Sequence, residues 1–414
     1  MHVIVVGGGV IGVTTAYFLR QAGCDVTLIE KNDGVAQETS FANAGIIAPG
    51  YATPWAAPGM PRKLLGYAFR TESPLVFRPS FDPALWRWVV AWLGQCRMER
   101  YRINKLRMQR VALHSRSVLH ALRNKLELYY EQSSGYMQLF RTERDMALSK
   151  PAQALLAETG VPFSILDEAS TRAVEPGIAE QFQFAGALHL PEDESGNCAL
   201  FARVLRKQAE ADGVNFRFSH LVKHIDAGTD VIQVHTDRGT LTADALVLAA
   251  GVASVSLAKS LGIRIPLWPV KGYSATAQIV AGDLAPRGAL MDEAYKIGIT
   301  RLGSRIRIAG TAELSDRKLE LRESALKTLI KVARDWFPHA GQYSNATYWC
   351  GARPMLPDGA PLLGATPLPR IYLNVGHGST GWAMSCGSAQ VVADIVTGRQ
   401  PAIDLDGLTL DRYH

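Results

Sequence analysis

The sequence predicts an α/β (α+β) fold, in which a Rossmann-like parallel-sheet domain is joined to a second domain built on an antiparallel or mixed sheet plus helices. Three observations carry this expectation. Residues 2 to 31 read strand, glycine turn, helix, strand, the length of one βαβ unit. DALVLAAG (244–251) is a continuous apolar run of the kind a central parallel strand needs. Between that run and a C-terminal strand, PVKGYSATAQI, YKIGITR and RIRIAGTAEL alternate apolar and polar positions with period two, as antiparallel strands do.

Taken in order, HVIVV (2–6) is a short apolar strand bounded by glycine. VTTAYFLRQAG follows as a helix stopping at Gly23, and VTLIEK supplies the next strand. The stretch 50–80 is rich in Pro and Gly, and 84–130 reads as largely helical. From Gly135 onward come short strands, GYMQLF and GALHLP, around a Pro-punctuated helical piece. FARVLRKQAEADG (201–213) is an amphipathic helix with a glycine stop, and NFRFSHLVKHIDAG, VIQVHTD and GTLTADALVLAAG read as three strands. The turn at Leu302-Gly303-Ser304 makes a hairpin of its two flanking strands. IYLNV (371–375) and WAMSCGSAQVVADIVTG end the chain as strand and helix. An antiparallel sheet lying between parallel-type segments implies a discontinuous architecture. The expected nucleotide domain takes residues 1–58, 192–266 and 352–414, and the second domain takes 59–191 and 267–351.

Composition narrows the function classes. With 414 residues, 47% hydrophobic and 20% charged, the chain has the makings of two folded domains. Five cysteines, with no CxxC pair and no adjacent histidine cluster, argue against a disulfide framework or a metal site and fit a reducing, cytoplasmic setting. The first residues carry no export-signal pattern, and no run reaches the ~20 apolar residues of a membrane span. Net charge is +6, yet 84–125 holds ten Lys or Arg against one acid, Glu99, so the remainder of the chain is net negative. That segment overlaps LWRWVVAWLGQ, a pairing of Trp and Arg that suits a helix on the anionic inner face of a membrane. It equally suits a basic helix whose tryptophans pack on a neighbouring domain. No signature points to nucleic acid.

GGGVIG at 7–12 is set in the full context of a dinucleotide site. Gly7 permits the tight turn, Gly9 lets the backbone approach a pyrophosphate, and Gly12 lets the helix pack on the sheet. The free N–H groups around Val10 and Ile11 face the phosphates, and Glu30 lies where a carboxylate accepts from ribose hydroxyls, which disfavours NADP. A second GxGxxG, GHGSTG at 376–381, follows a strand and opens a helix but has no second strand with an acid after it. It therefore suits one site of developing negative charge, such as the pyrimidine end of a reduced flavin, rather than a second dinucleotide.

These motifs, with TSFANAG (39–45), LVLAAG (246–251), PVKGYS (269–274) and GARPMLPDGAPLLG (351–364), resemble the D-amino acid oxidase and glycine oxidase superfamily of FAD enzymes. PGYATPWAAPG (49–59) and MDEAYKIGITR (291–301) are similar to bacterial D-amino acid dehydrogenases in particular. The resemblance extends over nearly the whole chain. It implies a D-amino acid oxidase-like fold, noncovalent FAD, hydride transfer from the Cα of a D-amino acid to flavin N5, release of a 2-oxo acid and ammonia, and electron delivery to a respiratory quinone. An oxygen-using oxidase of glycine, sarcosine or cyclic imino acids is the near alternative, and a flavin-free NAD-binding regulatory or membrane-docking protein the distant one.

For FAD the resemblance nominates Lys31, Ser40, Asn43, Ala44, Gly45, Val222, Ala250, Gly251, Gly376, Gly378, Ser379 and Thr380. Arg353 is the expected clamp for the substrate carboxylate, because a guanidinium pairs bidentately and stays charged; otherwise it closes its strand structurally. Tyr295 is a carboxylate or amine partner or a packing residue, with Tyr273 and Tyr51 behind it, and Glu313 could meet the substrate ammonium. The His377 ring either aids reduced flavin or only shapes its turn. Some relatives carry flavin on a cysteine one position from Cys350.

Overall fold

A computed structural model describes residues 1–67, 72–228 and 231–413. The first sheet has six strands in the order Leu362–Ala365, Ile371–Val375, Ala245–Leu248, His2–Val6, Asp25–Ile29, Asn215–Arg217. All neighbours pair in parallel except the first two. Its central strand shows why an apolar run was required. Val3 and Val5 pack under the helices Val10–Gln21, Cys198–Ala211 and Gly381–Val396, while Ile4 and Val6 pack on the opposite side with Ile225, Ile232 and Val234. Both faces are covered, so each such side chain contributes about 1.5–3 kcal/mol of burial.

Those last three residues belong to a separate antiparallel sheet of Val222–Ala227, Ile232–Thr236 and Gly239–Ala243. The segment 215–248 thus forms five strands in two sheets, where alternation alone predicted three. Phe216 and its neighbours join the parallel sheet before the chain turns away, and GTLTADALVLAAG divides at Asp244.

The large sheet is mixed. Its order runs Thr347–Met355, Trp268–Gln278, Arg305–Leu314, Ile297–Leu302, Ala289–Asp292, Ser133–Phe140, Gly186–Ser195, Ile46–Ile47. The hairpin turn at Gly303 is present with φ 58°, a conformation that favours glycine. One face, carrying Ala275, Ile299 and Ile308, is sealed by the helix Glu323–Trp336. The register puts Gly272, Ser274, Thr276, Arg307 and Thr300 on the other. There Gly298 leaves room for Ala44 and Ile46.

The basic segment is two helices, Pro83–Gln95 and Met98–Leu126. The longer one packs Met108, Val111, Ala112 and Leu119 into the cluster under the parallel sheet. Its arginines meet acids from elsewhere: Arg107 with Asp406, Arg110 with Asp404, Arg116 with Glu192 and Arg123 with Glu194. No helix among the described residues is long and apolar enough to cross a membrane.

Candidate active site

The first glycine turn is built by close approach. Gly7 has φ 113°, and a Cβ there would lie 2.7 Å from the Ala249 carbonyl oxygen; a Cβ on Gly12 would overlap the Gly7 carbonyl. Gly9 meets only Ser40 Oγ, at 3.4 Å, so the cradle in front of it is open. The first helical N–H, that of Val10, donates to Ser40 Oγ at 3.0 Å, and no acid occupies the first turn. Val10 is buried and Ile11 is half-buried against the same core. Glu30 follows the strand end at Ile29 and is buried; its carboxylate accepts from the Gly8 N–H at 2.6 Å and from Asn32 at 2.8 and 2.7 Å. Lys31 pairs with Glu38 at the surface. Ala250 and Gly251, the latter at φ 54°, begin where the neighbouring strand ends, and Val222 packs against the cluster holding Val6 and Leu248.

At the other end of the chain, Gly376 and Gly378 take φ 82° and 56° and swing the backbone into the helix Gly381–Val396. His377 bridges Met355 through its backbone. Its ring is buried, with Nε2 3.0 Å from Ser388 Oγ, and burial pushes its pKa down to about 3. The imidazole is therefore neutral across the physiological range. Ser379 Oγ accepts from the indole N–H of Trp55 at 3.2 Å, and the Thr380 hydroxyl turns back to the His377 carbonyl.

Arg353 completes this group. Its guanidinium occupies the space a Cβ on Gly272 would need, and it lies over the Trp55 ring at 5.6 Å. It donates to the carbonyls of Lys271 at 2.9 Å and of Thr311 and Gly310 at 3.3 Å. Among the described residues no carboxylate pairs with it. Burial lowers its pKa to about 10, so it remains a cation that no protein acid neutralises. Arg305 on the same sheet, by contrast, is given an acid, Glu131.

The tyrosines are not brought to Arg353. Tyr273 lies in the cluster under the helix Glu323–Trp336, and its hydroxyl donates to Glu313 at 2.7 Å. Burial and that carboxylate raise its pKa. Glu313 is fully buried and also takes two bonds from Arg322 and one from Ser315, which leaves it inside the protein rather than solvated. Tyr295 packs against the same cluster, with Arg141 4.7 Å over its ring and its oxygen 3.2 Å from Lys331 Nζ. Tyr51 leans on Tyr136, its hydroxyl 3.3 Å from Lys296. Cys350 is partly buried opposite Tyr273, on the face away from Gly272, and burial lifts its pKa to about 11.

Between the two glycine turns runs the 39–45 loop. Asn43 Oδ1 accepts from the Gly45 N–H at 3.0 Å, and the Thr39 hydroxyl donates to the Ala352 carbonyl at 2.7 Å. Ala44 and Gly45 lie against the large sheet at Gly298 and Thr300. On that face the hydroxyls of Ser274 and Thr300 are buried without a partner among the described residues. An open glycine cradle, free helical N–H groups, a buried carboxylate at the end of the second strand and orphaned hydroxyls form a donor and acceptor set that fits a flavin dinucleotide. Trp55, Ser274 and Thr300 lie within motifs quoted above and Arg307 within a strand run, but nothing in their spacing singled them out as site residues.

The family model for FAD dependent oxidoreductase (DAO) matches residues 2–395, and the chain belongs to that family of flavoenzymes. A D-amino acid dehydrogenase of Rhizorhabdus wittichii is 48% identical over 417 residues, covering 100% of both chains. One of Vibrio cholerae is 45% identical, covering 100% of this chain and 99% of its own. Among solved structures, glycine oxidase from Geobacillus kaustophilus superposes with a TM-score of 0.78 at 22% identity, covering 99% of this chain and 97% of that one. L-proline dehydrogenase from P. horikoshii gives 0.75 at 18%, covering 100% and 97%; both share the fold. Family membership sets aside the flavin-free alternative.

Proposed function

We propose that the enzyme oxidatively deaminates D-amino acids to 2-oxo acids and ammonia and passes the electrons to a quinone. The single observation that carries this reading is Arg353, a half-buried guanidinium with three carbonyl anchors and no acid, set beside the indole of Trp55. A cation so held has its missing partner in a substrate carboxylate, which it grips bidentately. The full-length relatives named as D-amino acid dehydrogenases support the choice of donor.

Bound FAD supplies the hydride acceptor. Gly7, Gly9, Gly12 and Ser40 would hold its phosphates, Glu30 its ribose, and the turn Gly376–Thr380 its pyrimidine end. Arg353 fixes the substrate by its carboxylate and so directs Cα toward the ring. Trp55 walls off water beside the clamp. Loss of a hydride from Cα to the acceptor and of one proton from nitrogen to solvent leaves an imino acid, which water converts to the 2-oxo acid and ammonia. His377 acts through the turn it shapes, its neutral ring anchoring the helix behind it at Ser388. Cys350 faces away from the Arg353 side of the sheet, which supports noncovalent FAD.

The quinone reading draws support from the exposed apolar face of Pro83–Gln95, where Phe81, Trp86, Val90 and Leu93 stand out beside Arg87. This favours that helix for peripheral contact with an anionic membrane, since Arg107, Arg110, Arg116 and Arg123 of Met98–Leu126 already pair internally. The test is anaerobic flavin bleaching against D- and L-amino acids, glycine, sarcosine and D-proline, followed by quinone or oxygen. Bleaching by D-amino acids with fast quinone reoxidation is expected. Preference for glycine or sarcosine with rapid peroxide release would select the oxidase reading instead.

A further inference from the structure

Arg307 is a second buried cation without an acid. It stands in the middle of Arg305–Leu314, 7% exposed, in one row with Thr276 and Thr300 of the adjoining strands. Its Nε donates to Thr276 Oγ1 at 2.7 Å, and a terminal nitrogen crosses to the 39–45 loop and donates to the Asn43 carbonyl at 3.0 Å. Glu131 is the acid whose charge reaches Arg307, and both its oxygens are taken by Arg305, at 2.9 and 2.7 Å. Among the described residues nothing else pairs with Arg307. Burial, and then the charge of Arg305, push its pKa down to about 10. A guanidinium removed from water costs several kcal/mol unless an anion compensates it.

Its surroundings name the direction from which compensation comes. The orphaned hydroxyls of Ser274 and Thr300 share its face of the sheet. Asn43 belongs to a loop whose Ser40 takes the first helical N–H at Val10 and whose Gly45 N–H is held by Asn43 Oδ1. A guanidinium on the Asn43 carbonyl therefore joins the large sheet to the loop whose Ser40 meets the start of the helix Val10–Gln21.

We infer that Arg307 is a cofactor-positioning residue: through the Asn43 carbonyl it holds the 39–45 loop in its FAD-binding shape, and the anionic cofactor supplies the counter-charge that the protein does not. This deepens the flavoenzyme assignment and is independent of which amine is oxidised.

The test compares wild type with Arg307→Met, Arg307→Lys and Thr276→Val. Each is purified as holoenzyme, stripped of flavin, retitrated with FAD, and measured for the flavin midpoint potential. Arg307→Met should weaken FAD binding roughly tenfold or more, the size of a lost charged hydrogen bond, and move the potential to more negative values. Arg307→Lys should recover part of both, because charge returns without the second anchor. Wild-type affinity and potential in Arg307→Met would overturn the inference. So would equal losses in the Met and Lys variants at unchanged potential, which mark a packing role. Should Arg307→Met not fold, Thr276→Val decides: a several-fold weaker FAD complex supports the inference, and unchanged affinity overturns it. Wild-type protein that takes up no FAD would indict the flavin assignment itself.

Discussion

The Arg353 guanidinium rests over the Trp55 ring, 5.6 Å from its centroid, with its N–H groups turned to backbone carbonyls rather than to an acid. Replacing it by methionine removes the charge but leaves bulk over Gly272. Arg353→Met should lower kcat/KM for D-amino acids roughly hundredfold while FAD stays bound. Arg353→Lys should recover only part, since a point charge does not reproduce the planar fork. Stopped-flow flavin reduction with an absorbance check of flavin content measures both.

Gly12→Ala drives a methyl into the Gly7 carbonyl, which is backbone and has nowhere to move. The variant should purify with little or no yellow colour and unfold at lower temperature than wild type, read by absorbance and thermal melting. Gly23→Ala, where nothing lies within 4 Å, is the control for space, although its φ of 90° is still strained.

The parallel sheet was legible because both of its faces are buried, which leaves unbroken apolar runs such as LVL and HVIVV. The partners of the strands after Val214 were not, since alternation reports a half-buried face and says nothing of which sheet it joins. The basic segment was open to two readings for a related reason. Its arginines looked uncompensated because Asp404, Asp406, Glu192 and Glu194 are distant in sequence. Arg353 was legible through its motif; the setting of Arg307 was not, for burial without an acid exists only in three dimensions.

His377 gives a pH signature of folding. Its pKa is about 3 in the folded protein against an ordinary 6.5, so the unfolded chain binds the extra proton between these values. Stability is fully present above pH 6.5 and declines as pH falls toward 3, by about 2 kcal/mol at pH 5 from this group alone. His377→Gln should flatten that part of the urea-denaturation profile. Flavin reduction in His377→Gln should keep the wild-type pH dependence between pH 6 and 9; a changed profile would give the ring a proton-transfer role.

Phe81 and Val90 are the most exposed large apolar side chains of the Pro83–Gln95 region. Flotation with anionic liposomes should carry wild type upward, and Phe81→Asp with Val90→Asp should stay behind while amino-acid-dependent flavin bleaching is unchanged. Neutral liposomes should bind less, since Arg87 adds attraction to negative headgroups.

Acid precipitation tests the attachment of the flavin. With Cys350 on the far face of its strand and its thiol held protonated, colour should leave with the supernatant. A yellow pellet would overturn noncovalent binding.

The pairing of Val3 with Ala245, and of Leu246 with Ile371, means that the strand His2–Val6 waits for Ala245–Leu248 and Ile371–Val375 before its sheet is complete. Until Ile371–Val375 emerges, the apolar edge of Ala245–Leu248 is bare, and the nascent chain is at its stickiest. Completion of this sheet thus follows synthesis of Ile371–Val375, and loss of that strand should harm the fold as much as the chemistry.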